Sequence, residues 1–77
     1  MAINSVLGLL VAIQEQKDLL KVIHYLNSEL NISIISLAGF IGISPSSLYL
    51  YVNGAKIPPK KEAFIWQGLR VKFLGGK

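Results

Sequence analysis

The apolar positions of the chain recur at helical rather than strand spacing. After Asp18, Leu19, Leu20, Val22, Ile23, Leu26 and Leu30 return at steps of three and four, which places them on one face of a helix over about residues 16–30. Upstream, Val6, Leu7, Leu9, Leu10, Val11 and Ile13 are apolar nearly all round, with Ser5 or Asn4 available to cap a helix start. A helix without a polar face has to be covered, within its own domain or by another chain. In so short a protein the second chain is the expected cover.

Asn31 to Ser33 supplies the next stop and cap. Ile34, Ile35, Leu37, Ala38, Phe40 and Ile41 then make a short helix ended by Gly42. Ser44-Pro45 is a strong helix start, because the serine side chain caps free amides while proline gives up an amide hydrogen that had no partner. This helix runs over about residues 45–52 and ends at Asn53-Gly54. Ile57-Pro58-Pro59 reads as an extended connector, since a residue before proline is pushed out of the helical region. Lys60 to Leu69 follows as a helix, with Phe64, Ile65 and Leu69 as core contacts, and Phe40 and Trp66 are also expected inside. Residues 69–74 alternate apolar with basic, the period of a short strand, and a continued helix is the alternative. The expected fold is therefore all-α, a small helix-turn-helix bundle of four to five helices, with that C-terminal strand left open.

Size narrows the remaining choices. Seventy-seven residues allow one small domain, residues 1–77, and a core of that size seldom supplies more than about 3–5 kcal/mol without a staple. There is no cysteine for a disulfide, and one histidine with four acidic residues does not readily assemble four zinc ligands. Stability has to come from the 52% hydrophobic content, from association with another subunit, or from both. The carboxylates Glu15, Asp18, Glu29 and Glu62 are scattered and form no acid and base pair, and His24 reads as a residue at the solvent edge. No enzyme, cofactor or metal is expected. The run Val6 to Ile13 is far short of the roughly 20 residues that span a bilayer, and no basic residue precedes it as in an export signal. A cytoplasmic location is the expectation.

The net charge of +4 is unevenly placed. Residues 1–53 hold Lys17 and Lys21 against Glu15, Asp18 and Glu29, a balance of −1, whereas residues 54–77 hold Lys56, Lys60, Lys61, Arg70, Lys72 and Lys77 against Glu62, a balance of +5. Such asymmetry suits a polyanionic partner for the C-terminal third, with a solvated basic face as the plainer reading.

Residues 34–53, IISLAGFIGISPSSLYLYVN, resemble a helix-turn-helix of the Cro and lambda-repressor type. Ala38 is small where two helices have to cross closely, Gly42 takes the turn, and Ile43, Leu48 and Tyr51 can plug the angle between them. The resemblance extends over about residues 18–70 through Ser44-Pro45, Gly54, Lys56 and Pro58. It departs from the family at Ile34, where a phosphate-touching glutamine is common, and at Lys60 and Lys61, where an apolar residue is usual. The recognition helix itself contains no Arg, Lys, Gln or acidic side chain.

That resemblance implies sequence-specific binding of double-stranded DNA by a homodimer acting as a transcriptional regulator. Ser46, Ser47, Tyr49, Leu50 and Asn53 would face outward, while Leu48, Tyr51 and Val52 face in. Ser44, Ser46 and Ser47 offer hydroxyls to phosphates or bases, Tyr49 and Leu50 offer contact to thymine methyls, and Asn53 can bond an adenine edge or a phosphate. Lys60 and Lys61 stand at a helix start, where the macrodipole disfavours cations by some tenths of a kcal/mol up to about 1. A phosphate held there reverses that sign, so Lys56, Lys60 and Lys61 form the expected phosphate clamp. The apolar segment 3–13 is the expected dimer surface, with 69–74 as second choice. The competing reading keeps the fold in a protein-interaction or assembly module that does not bind DNA.

Overall fold

The computed structural model describes residues 5–75, and all regular structure in them is helical. The first helix, α1 (Val6–Glu15), begins where the Ser5 Oγ accepts from the Gly8 amide at 3.0 Å. Asn4, the other candidate cap, lies outside the described residues, as does the first part of the 3–13 segment. The helix ends at Gln16, whose left-handed backbone (φ 57°) returns its amide to the carbonyls of Ala12 and Ile13. Asp18 is also left-handed (φ 56°), so the chain reverses within three residues and α2 spans Leu19–Ser28. The helix expected over residues 16–30 is correspondingly shorter, because its first turn is spent on this reversal.

Two eight-residue helices follow, α3 (Ile34–Ile41) and α4 (Pro45–Val52), and then α5 (Pro59–Leu74), sixteen residues long. The apolar and basic alternation of 69–74 lies inside α5. As helix, that segment places Leu69 in the core and Phe73 one turn later against it, so no strand forms there. None of the described helices is by itself long and apolar enough to cross a membrane.

All five helices contribute to one apolar core. Its innermost side chains include Leu9 and Ile13 of α1, Val22 and Leu26 of α2, Leu37 of α3, Leu48 of α4, and Ile65 and Leu69 of α5. Among the described residues no polar or charged side chain is buried. The cover for the inner side of α1 is thus the domain itself, while Val6 and Leu7 remain exposed on its outer side, Leu7 at 73%.

Helices α3 and α5 meet backbone to backbone. A Cβ placed on Gly68 would stand 2.8 Å from the Ile41 Cα and 3.0 Å from its carbonyl oxygen, so only glycine leaves room for this approach. That approach turns the stripe Leu37, Ala38 and Ile41 inward and leaves Phe40 at the helix edge, 38% exposed, with the Lys72 ammonium 4.3 Å above its ring. Phe64 is likewise outside the core, 46% exposed, its ring against Gly42. Sequence spacing assigns both phenylalanines to the interior, and the glycine contact that brings the helices together displaces both. Trp66 is in the core as expected, with its Nε1 donating to Glu62 Oε2 at 3.4 Å.

Candidate nucleic-acid interface

Serine caps fix the starts of α3 and α4. The Ser33 Oγ accepts from the Ser36 amide at 3.1 Å, and the Ser44 Oγ accepts from the Ser47 amide at 3.2 Å. Each satisfies an amide that has no partner inside its helix, a contribution of about 1 kcal/mol. Pro45 at the first position of α4 costs no hydrogen bond.

Between the two helices lie three residues, Gly42 to Ser44, and the axes bend by 112° across them. Gly42 has φ 92°, a conformation that a Cβ would strain, and its amide reaches the Ala38 carbonyl at 2.8 Å. Ile43 is half-buried and packs against the core. Two helices at about 90–120° on a turn of three or four residues define a helix-turn-helix unit.

The helix α4 then divides into two sides. Leu48 and Tyr51 are buried, while Ser46, Tyr49, Leu50 and Asn53 are exposed, in agreement with the outward set. Val52 departs from expectation at 42% exposure, because the last turn of α4 runs to the edge of α2 and lines a groove with Leu20, His24 and Tyr25 rather than entering the core. Ser44 and Ser47 are more committed than free hydroxyls. Ser44 Oγ donates to Ser47 Oγ at 2.9 Å, so Ser44 has spent its proton, whereas Ser47, half-buried, keeps its own proton to donate.

The basic residues fall in two places. Lys60 and Lys61 are on the first turn of α5 and line an open depression of about 490 Å3 together with Gly42, Pro58 and Phe64. The fold therefore carries these two lysines to the α3–α4 turn, next to the start of α4. Lys56 is exposed on the loop after α4 and does not line that depression; its neighbours Ala55 and Ile57 face the start of α2 instead. Of the three lysines in the expected clamp, two are thus brought together and the third stands apart.

Phe64 is the one component of this surface that sequence spacing places elsewhere. Its separation of four from Lys60 is the available signal, since residues four apart share a helix face. No protein-family model, no curated protein and no solved structure matches this chain.

Proposed function

We propose that the protein binds double-stranded DNA in a sequence-dependent way, as a homodimer that regulates transcription in the cytoplasm of its cell. The observation that carries this reading is the 112° helix pair with an outward α4 face and two exposed lysines at its turn. The major groove, about 12 Å wide, admits an α-helix, and helix-turn-helix proteins enter it by the N-terminal end of the second helix. On such a path Ser46 and Ser47 meet the base edges or phosphates first, with Tyr49 and Leu50 against thymine methyls. Asn53, at the far end of α4, reaches an adenine edge or the backbone. Lys60 and Lys61 lie beside the entering end of α4 and neutralise phosphates there, and Lys56 serves a separate phosphate near the other end. With no guanidinium on α4 and its single carboxamide, Asn53, at the far end, much of the discrimination falls to groove shape and deformability.

A homodimer suits a module of this size. Two copies spaced for successive major grooves, about 34 Å apart, read a palindromic site with the affinity that one small domain lacks. The exposed side of α1, with Val6, Leu7 and Val11, is the surface offered for that pairing. The second reading, an assembly module without DNA binding, draws on Leu50 and Tyr49, which are 61% and 50% exposed on a helix without charge.

Gel retardation on random duplex DNA at two salt concentrations separates the two. The DNA reading expects retention that weakens with salt, and a Lys60→Ala, Lys61→Ala double variant whose log–log salt slope is shallower by about 1 for each phosphate no longer neutralised. No retention at low salt, or an unchanged slope in the double variant, overturns the reading or its phosphate clamp respectively.

A further inference from the structure

The outward side of α5 carries more than phosphate binding requires. Lys60, Phe64, Gln67 and Val71 recur at steps of four, three and four, so they share one face, on which Phe64 is 46% and Val71 55% exposed. Beside this face Phe40 is also part-exposed, under the Lys72 ammonium. Phe64, Gly42 and Pro58 supply apolar lining to the 490 Å3 depression, and Lys60 and Lys61 supply cationic lining. Phosphates satisfy the ammonium groups, while the ring of Phe64 beside them is best covered by an apolar side chain.

We propose that this depression docks an acidic, hydrophobic peptide segment of a partner protein. One aliphatic or aromatic side chain of that segment sits against Phe64, Gly42 and Pro58, and the carboxylates on either side of it meet Lys60 and Lys61. Charge complementarity selects this occupant. The first turn of α5 has Glu62 as its acidic residue, and that carboxylate accepts from the Trp66 indole. A second copy presenting its own C-terminal third would bring net charge +5 against another of the same sign. Because Lys60 and Lys61 also belong to the DNA reading, a docked peptide excludes DNA; that exclusion alone rests on the DNA reading, and peptide docking does not.

Fluorescence anisotropy with the whole chain tests the proposal directly. The probes are a fluorescein-labelled Asp- and Glu-rich peptide bearing Leu and Phe, the same peptide with each apolar residue changed to Ser, and vesicles of phosphatidylserine and phosphatidylcholine. The first peptide binds, and the Ser version binds weaker by about tenfold or more, as does the first peptide to Phe64→Ala, since each loses burial of roughly half an aromatic side chain. A Lys60→Gln, Lys61→Gln variant weakens binding several-fold and flattens its salt dependence, and neither position belongs to the core, so the fold tolerates both changes. Equal binding of the two peptides, indifference to both variants, or association with vesicles in place of the peptide overturns the proposal. Displacement of bound duplex DNA by the peptide is read separately. Loss of DNA binding with peptide binding intact refutes only the DNA reading, and the converse refutes only this one.

Discussion

Replacing Gly68 by alanine tests the backbone contact between α3 and α5. In an exposed helical position that change is favourable by about 0.5–1 kcal/mol, because glycine gives up more backbone freedom on folding. At Gly68 the new Cβ would lie 2.8 Å from the Ile41 Cα. Carbon–carbon contacts are most favourable at about 3.5–4.0 Å, so α3 and α5 must part by roughly 0.7–1.2 Å. The obstacle is backbone, which cannot rotate away as a side chain tip can. Overpacking of this kind costs about 1–3 kcal/mol, and after the propensity gain a net loss of up to about 2.5 kcal/mol remains. For a domain of this length that lowers Tm by up to roughly 20 °C, at about 4–8 °C for each kcal/mol. Gly39 is the internal control, since it lies in α3 and a Cβ added there would meet no atom within 4 Å. Gly39→Ala should raise Tm by a few degrees, on the order of 0.5–1 kcal/mol of stability. Thermal unfolding followed by circular dichroism reads both. Shifts of the same sign and size would mean that α3 and α5 do not meet backbone to backbone, and the displacement of Phe40 and Phe64 would lose its explanation.

Gln16 holds a left-handed conformation at the end of α1 that glycine adopts without strain, so Gln16→Gly should stabilise the protein by about 1 kcal/mol in urea unfolding. Charge placed on the two sides of α1 should have opposite consequences. Leu9→Lys and Ile13→Lys enter the core and unfold the domain, whereas Leu7→Lys with Val11→Lys leaves it folded and, by sedimentation, monomeric; a persistent dimer in that second variant clears the outer side of α1 of the pairing role. Asn53→Ala should shift preference among DNA sites in a binding selection, and equal weakening on every sequence would reduce Asn53 to a backbone contact.

The DNA and peptide readings use one structural device. Ser44, Pro45 and Gly42 set the direction of α4, and the α3–α5 contact at Gly68 sets where the first turn of α5 sits relative to it. Lys60 and Lys61 gain their place at the turn from that second contact, although it lies two turns further along α5. A destabilising change at Gly68 is therefore expected to blur the position of the lysines before it alters α4 itself.

Local chemistry determined most of the elements. Ser33 and Ser44 as caps, Gly42 and Gly54 as left-handed stops and Pro45 at a helix start are all legible in the chain, because each acts on backbone atoms within a few residues of itself. The outward set Ser46, Tyr49, Leu50 and Asn53 is legible for a similar reason, since Leu48 and Tyr51 fix which side of α4 faces in. What lies beyond sequence is whatever depends on how near two helices come. Apolar character alone sends Phe40 and Phe64 inward, but the Gly68 contact fills the space between α3 and α5 with backbone and leaves both rings at the edge. The alternation in 69–74 fits strand and helix equally until packing of Leu69 and Phe73 chooses the helix. The cover for α1 is ambiguous in the same way, because an apolar helix states that it needs a neighbour without stating which. Tertiary structure supplied that neighbour for one side, and it also divided the lysines, joining Lys60 and Lys61 at the turn while Lys56 stayed on its own loop.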